Sequence, residues 1–139
     1  MRFVIATDEE RPVVEHVAKV LRDRGHDATV MPKEAWGAMA VSAAGRVAHG
    51  EFDQAVVCCW TGTGAAMAAN KVRGIRAALC TDAQTAAGAR KWNDANVLAL
   101  SLRLLSEPLA TEILEAWLAA AYDGTEAESL ARLDEEENA

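Results

Sequence analysis

The sequence predicts an α/β fold in which a parallel, doubly wound sheet fills one domain, residues 1–139. Five short apolar runs rich in β-branched residues alternate with segments of helical spacing. Strands that are joined through helices run parallel, with helices on both faces of the sheet. The length of 139 residues is typical of one domain, and no linker, repeat or low-complexity segment divides it.

Each strand is predicted from a short apolar run that ends in polar or turn residues. The first run, RFVIAT, is followed by acidic residues, as expected of a buried strand that leads into a helix. The predicted strands are Arg2–Thr7, Asp27–Met31, Gln54–Cys59, Ile75–Cys80 and Asn96–Leu100.

The intervening segments are predicted as helices from their apolar spacing and their end signals. In the first of them Val13, Val17 and Leu21 share one face, and Gly25 forms the C-terminal cap. The predicted helices are Arg11–Arg24, Trp36–His49, Ala65–Lys71, Asp82–Lys91, a helix capped by Ser106 with the stripe Leu109, Ile113 and Trp117, and a last helix opened by the capping box Thr125-x-x-Glu128.

Composition excludes several classes of function. The formal net charge of -7 makes nucleic acid an unfavourable partner. No apolar segment is long enough to span a membrane, so a membrane is not expected as a partner either. An odd number of cysteines without disulfide spacing, and no signal peptide, predict a cytoplasmic protein. No Cys-x-x-Cys or histidine cluster predicts a metal site, so His16, His26 and His49 are interpreted as surface or packing residues.

Candidate sites in such a sheet lie at turns beyond the carboxyl ends of the strands. The turns considered are Thr7–Glu9, Cys59–Gly64, Thr81–Asp82 and the segment near Trp92.

The segment VVCCWTGTGAAMAANKV contains the most informative of these turns. Gly62 and Gly64 permit positive φ and close approach of a ligand to the backbone, while Thr61 and Thr63 add hydroxyl groups. Successive amides there favour an anion or oxyanion site, although a plain tight turn remains open. The turn is neither a Walker loop nor a complete dinucleotide fingerprint.

Cys59 is the last strand residue before this turn. A thiol beside such amides has its thiolate stabilised, which suits a nucleophile or a base. The alternative is a small buried hydrophobe. Strand alternation sends Cys58 and Cys59 to opposite faces, so at most one of them lines the site.

The segment CWTGTGAAMAANKVRGIRAALC resembles the signature of type B ribose-5-phosphate isomerases and galactose-6-phosphate isomerase subunits. NDANVLAL and TDEE match two further blocks of that family. The resemblance implies a three-layer Rossmann-like sandwich, with active sites at the interface of a homodimer and a C-terminal helix at that interface. It also implies interconversion of aldose and ketose phosphates through an enediolate, with no metal or organic cofactor.

The resemblance assigns roles to residues of both turns. It implies that Cys59 is the base, that Thr61 assists proton transfer, and that amides from Gly62 through Thr63 to Gly64 hold the enediolate. It also implies that Asp8 contacts the sugar hydroxyls and that Asn93 binds the substrate.

The sequence departs from the family at positions to which the resemblance assigns catalytic or phosphate-binding roles. Trp92 stands where the family has a ring-opening histidine, and Glu9 stands where it has a phosphate-contacting histidine. Glu126 and Glu128 replace cations of a Gly-Gly-Arg-His-x-x-Arg block, and Trp60 replaces a glycine. Carboxylates repel a phosphate, so we expect a substrate other than ordinary ribose 5-phosphate.

Some replacements point to compensating groups. Arg11 or Arg132 would supply a cation from a shifted position. Trp60 with Trp92 forms either an aromatic wall for a sugar or part of the dimer interface.

Three functions remain open from the sequence. The first is an isomerase of a sugar or sugar phosphate, working as a homodimer or tetramer. The second is a non-catalytic sugar-binding or partner subunit on the same scaffold. The third is other chemistry with Cys59 as a thiol nucleophile.

Overall fold

The computed structural model describes residues 1–139 and confirms the predicted α/β class. The strands are β1 (Arg2–Thr7), β2 (Asp27–Val30), β3 (Gln54–Cys59), β4 (Ala77–Leu79) and β5 (Val97–Ser101). The helices are α1 (Pro12–Asp23), α2 (Trp36–Ala48), α3 (Thr63–Ala69), α4 (Ala83–Asn93), α5 (Glu107–Ala119) and α6 (Ala127–Glu137).

All five strands run parallel in the order β2-β1-β3-β5-β4. Thr7 pairs with Cys58 and Cys59 pairs with Ser101, so the carboxyl ends of the three central strands are level. The chain leaves β1 through α1 on one face and leaves β3 through α3 on the other. Divergence of the two connections opens a crevice between the carboxyl ends of β1 and β3.

Two apolar cores lie on the two faces of the sheet. One is formed with α1, α4 and α5, and the other with α2 and α3. Alternate residues of each strand enter alternate cores, so Cys58 belongs to the first core and Cys59 to the second. The predicted separation of the two cysteines is confirmed.

Several predicted boundaries differ from the structure. β4 has three residues instead of six, and α3 begins two residues early, because Gly62 adopts a left-handed conformation with φ 78° and turns the chain directly into the helix. The predicted capping box is wrong. The Thr125 hydroxyl donates to Asp123 Oδ1 at 2.7 Å, and α6 begins at Ala127 without a side-chain cap.

The C-terminal helix α6 lies outside both cores and contains no buried residue. It is tied to the α3–β4 loop through Glu137, whose carboxylate accepts from the Gly74 amide at 2.9 Å. Among all the helices, none has both the length and the apolar character that crossing a membrane requires.

Candidate active site

The crevice between β1 and β3 brings together two of the predicted turns. The Asp8 amide donates to the Cys58 carbonyl at 3.2 Å, which continues the strand pairing one residue past β1. Thr7–Glu9 and Cys59–Gly64 therefore begin side by side, as expected for neighbouring strands about 4.8 Å apart.

Cys59 is held at the end of β3 by hydrogen bonds to the last residue of β5 and to the two residues that follow it. Its carbonyl accepts from the Leu102 amide at 2.9 Å, and the Trp60 carbonyl accepts from the Arg103 amide at 2.9 Å and from Ser101 Oγ at 3.1 Å. Only 4% of Cys59 is exposed, and it packs in the α2–α3 core. Its position is therefore fixed, with only a narrow opening toward solvent.

Cys58 differs from Cys59 in its surroundings. It is fully buried in the other core, and burial, together with the nearby Cys59 and Asp8, raises the pKa of its thiol to about 12. A thiol with that pKa is almost entirely protonated at neutral pH, so Cys58 cannot supply a thiolate.

The turn after Cys59 presents backbone amides. The N–H groups of Thr61 and Gly62 donate to no protein acceptor, and those of Thr63 and Gly64 lie in the first turn of α3, where helices lack internal partners. The hydroxyls of Thr61 and Thr63 are 2.8 Å apart. Such an arrangement can stabilise an oxygen that develops negative charge.

Asp8 carries an unpartnered oxygen at the same edge. Its Oδ1 atom is buried and makes no hydrogen bond within the chain. Burial, followed by repulsion from Glu9, raises the pKa of the Asp8 carboxyl. A buried acceptor without a partner costs folding free energy, which is typical of a group that awaits a ligand.

Arg11, Glu9 and Trp60 form a contiguous group at the mouth of the crevice. Arg11 Nη2 lies 3.0 Å from Glu9 Oε1, and the guanidinium carbon lies 5.0 Å from the centroid of the Trp60 ring. About half of the Trp60 side chain is exposed, at 48%. Arg11 Nε is buried and has no partner.

Trp36 is a residue of this edge that the sequence interpretation missed. A Cβ atom on Gly64 would lie 2.9 Å from Trp36 Cε3, so the indole covers the start of α3 and would have to shift to admit a side chain there. The signal in the sequence was a tryptophan at the predicted start of a helix. In the structure Trp36 is the first residue of α2 and is 49% exposed.

Trp92 and Asn93 are not brought to Cys59 within the chain, and the prediction that their segment follows a strand is wrong. They form the last turn of α4, which runs back to the amino ends of the strands. There Arg76 Nε donates to the Asp94 carbonyl at 2.8 Å. The loop before Glu126 is at the same edge, since the Asp123 amide donates to the Lys91 carbonyl at 3.0 Å.

The Thr81–Asp82 turn has a structural role. Asp82 is the N-cap of α4, and its Oδ1 accepts from the Thr85 amide at 2.7 Å. This capping explains the acidic residue at that strand end.

Comparison with known proteins gives a match over nearly the whole chain. A family model described as "Ribose/Galactose Isomerase" matches residues 3–135. Ribose-5-phosphate isomerase B of Escherichia coli is 46% identical over 78 residues, which cover 56% of this chain and 52% of that protein. D-erythrulose-4-phosphate isomerase of Pectobacterium atrosepticum is 43% identical over 86 residues, 62% of this chain and 57% of that protein.

These alignments span only about half the length of the relatives, whereas the structural match is complete. Ribose-5-phosphate isomerase B of Clostridium thermocellum superposes with a TM-score of 0.93 at 34% identity, covering 99% of this chain and 98% of that one. The arrangement of strands and helices described above is therefore the arrangement of that structure.

Proposed function

The chain belongs to the ribose/galactose isomerase family, and from that membership we propose that it is a sugar-phosphate aldose–ketose isomerase. The observation that carries the proposal is the position of Cys59, which ends β3 directly before four unpartnered backbone amides. A base beside a cluster of preorganised donors is the arrangement that enediolate chemistry requires.

The proposed reaction uses groups of both turns. The Cys59 thiolate removes the proton from C2 of the aldose, and the electron pair of the C–H bond forms the C1–C2 double bond of an enediolate. Thr61 transfers a proton between the two substrate oxygens, and the amides from Gly62 to Gly64 hold the charged oxygen. Cys59 then returns its proton to C1, which yields the ketose. Asp8 accepts a hydrogen bond from a sugar hydroxyl through its unpartnered Oδ1.

This mechanism requires a free thiol at Cys59. All three cysteines are free and buried, and oxidation of the base would end activity. We therefore expect the enzyme to act in a reducing compartment such as the cytoplasm.

The proposed substrate is a sugar phosphate that is already open-chain, and not ordinary ribose 5-phosphate. Opening a sugar ring needs an acid–base group, the indole of Trp92 supplies none, and each of the three histidines makes its contacts elsewhere. His16 contacts Thr111 on α5, His26 contacts the N-terminus, and His49 contacts the Gly45 carbonyl at the end of α2.

The names of two relatives support an open-chain substrate. The Pectobacterium protein and a protein of Mycolicibacterium smegmatis, 41% identical over 85 residues, are both named for D-erythrulose 4-phosphate. A four-carbon sugar whose O4 carries phosphate has no hydroxyl left to close a five-membered ring. An enzyme for such a substrate has no need of a ring-opening residue, which fits Trp92 in place of histidine.

We also propose that the working unit is a dimer in which Trp92 and Asn93 reach the partner's crevice. Within one chain these residues and Cys59 lie at opposite edges of the sheet. Asn93 lines a cavity of about 740 Å³ beside Leu133 of α6, the helix without a buried residue. In a dimer, the amino edge of one chain's sheet would meet the carboxyl edge of the partner's sheet.

Proton NMR in deuterium oxide tests the proposed reaction. D-erythrose 4-phosphate, which cannot cyclise, is compared with D-ribose 5-phosphate, and deuterium uptake at C2 is followed for each. We expect uptake from the open-chain substrate and a loss of roughly 10²–10⁴-fold in the Cys59→Ala variant.

Cys80→Ala is the matched control, because this buried thiol, whose pKa burial raises to about 12, lies outside the crevice. Faster exchange with ribose 5-phosphate would contradict the substrate assignment. Absence of exchange with both sugars would contradict the isomerase and favour a non-catalytic binding subunit.

A further inference from the structure

We infer that Arg11 is the specificity-determining cation of this site, and that its guanidinium, stacked on Trp60, binds the anionic group of the substrate. The inference rests on the proposed function and deepens it by naming the residue that selects a phosphorylated substrate. The cations that the family carries near residue 126 are absent, and Glu126 lies near the amino edge of the sheet, away from Cys59 of its own chain.

The guanidinium is held close to the catalytic residue. Trp60 follows Cys59 directly, and its carbonyl is fixed by Arg103 and Ser101 on the β5 side. Arg11 lies over the exposed indole at 5.0 Å from the ring centroid. Stacking on an aromatic face orients a guanidinium without using its N–H groups, so these stay free for a ligand.

The donors of Arg11 are only partly used within the chain. Its Nη2 is paired with Glu9 Oε1 at 3.0 Å, while its buried Nε has no acceptor. An arginine binds a phosphate most strongly through two parallel N–H groups, and the pair that includes Nε also uses Nη2, which a phosphate would share with Glu9. The unpartnered Nε is therefore the feature that points to an anionic ligand.

The space beside Arg11 fits this role. A cavity of about 360 Å³ extends from Thr7 at the end of β1 toward β2, with Arg11 and Lys33 in its lining. The carboxylates of Glu10 and Glu15 also line it, so the cavity as a whole carries no excess positive charge. Selection of an anion thus depends on the directed donors of Arg11 and not on a general positive field.

Glu9 acts on this residue as a positioning group. Its carboxylate holds Nη2 and fixes the guanidinium plane, and it also competes with an incoming anion. Removing the charge of Glu9 is therefore expected to strengthen binding of an anion, whereas removing Arg11 is expected to weaken it.

The kinetic test compares two open-chain substrates that differ in the phosphate. Arg11→Ala is expected to raise KM for D-erythrose 4-phosphate roughly tenfold to hundredfold, with little change in kcat. The same variant is expected to leave kcat/KM for 4-deoxy-D-erythrose unchanged. Arg11→Lys is expected to restore only part of the loss, because an ammonium group lacks the planar fork.

The control is Lys19→Ala, which removes one positive charge from the exposed face of α1, where Lys19 pairs with Asp23. It is expected to behave as wild type with both substrates. Equal losses of kcat/KM for both substrates in Arg11→Ala would overturn the inference, since a merely structural role predicts that result.

A binding test separates this inference from the isomerase itself. Inorganic phosphate is titrated into the protein while tryptophan fluorescence is followed, with Trp60→Phe to identify the reporter. Wild type is expected to respond, Arg11→Ala to lose the response, and Glu9→Gln to bind roughly twofold to fivefold more tightly. A wild type that does not respond, or an Arg11→Ala variant that binds equally well, overturns the inference whether or not any sugar is isomerised.

Discussion

At the scale of single residues, Asp8 is a carboxylate whose surroundings disfavour its ionised form. Its buried Oδ1 has no partner, and burial and Glu9 both raise the pKa of its carboxyl. Ionisation of such a group costs more in the folded chain than in the unfolded chain. The carboxylate is therefore a source of instability that a sugar hydroxyl would relieve.

The Asp8→Asn variant is expected to be more stable than wild type at pH 7 and less active by roughly 10- to 100-fold. A raised folded pKa means that the native state holds the proton more tightly, so wild-type stability falls as pH rises from the ordinary value of 3.8 through the raised value. The advantage of the variant is thus greatest above the raised pKa and shrinks as pH falls. Urea unfolding at pH 7 and pH 4, together with the exchange assay, checks both effects.

Asp53→Asn is the control, because its expected effect on stability at pH 7 is opposite to that of Asp8→Asn. A hydrogen bond from the Arg2 side chain lowers the pKa of Asp53, so its ionised form stabilises the fold above pH 3.8. That variant is expected to be less stable than wild type at pH 7. If Asp8→Asn were destabilised in the same way, Asp8 would be a structural residue and its role in binding a sugar would be lost.

Residue-scale prediction from the sequence succeeded where local rules decide the outcome. Opposite faces for Cys58 and Cys59 follow from strand alternation, and the structure confirms them. The stacking of Arg11 on Trp60 joins the start of α1 to the end of β3, and Trp36 covers Gly64 from another connection. Such contacts depend on side-chain directions in three dimensions, which periodicity does not encode.

At the scale of elements, the turn from β3 into α3 is set by one glycine. Gly62 has φ 78°, and a Cβ atom there would lie 2.5 Å from Leu79 Cδ1 and 3.0 Å from the Leu100 carbonyl carbon. The residue is thus constrained both by its conformation and by the backbone of β5. A side chain at this turn would require Leu79 or the backbone at Leu100 to shift.

Gly62→Ala is expected to lower the free energy of unfolding by about 2–5 kcal/mol, the sum of the left-handed strain and the steric overlap. Gly124→Ala separates the two contributions, because Gly124 has φ 79° with nothing within 4 Å of its Cβ position. That variant is expected to cost only about 1 kcal/mol. Urea denaturation of both variants measures the difference, and equal costs would show that the packing against β5 is not restrictive.

Element boundaries were predicted well where side chains provide the signal. Ser106 caps α5 as expected, with its hydroxyl accepting from the Leu109 amide at 3.2 Å. The capping box at Thr125 failed because the Thr125 amide and hydroxyl both donate to Asp123 Oδ1, and the helix begins only at Ala127 with Glu126 at its N-cap position. The first residue of a helix thus depends on which local hydrogen bonds form. A capping box and a turn closed by Asp123 are both compatible with the sequence around Thr125.

At the scale of the whole molecule, the topology divides the predicted site between two edges. Alternation of strands and helices was enough to predict the parallel sheet, but the end of α4 was assigned to the wrong edge. Helix α4 must return to the start of β5, so Trp92 and Asn93 lie at the edge of the sheet opposite to Cys59. A single chain therefore cannot assemble the complete set of predicted site residues.

Complementation between inactive variants tests whether two chains assemble the site together. The Asn93 side chain is exposed and makes no hydrogen bond within its chain, so Asn93→Ala is expected to fold normally. Homodimers of Cys59→Ala and of Asn93→Ala would each lack one required group in every site. In a mixed dimer one site would combine the intact Cys59 of one chain with the intact Asn93 of the other.

Co-expression of the two variants is thus expected to restore about a quarter of wild-type activity per chain, because half of randomly formed dimers are mixed and each has one intact site of two. The measurement is C2 exchange in deuterium oxide on the mixture, with each variant alone as control. Were both residues to act within one chain, no mixture would exceed its components. Restored activity would instead show that Asn93, in the last turn of α4 of one chain, acts in the same site as the partner's Cys59.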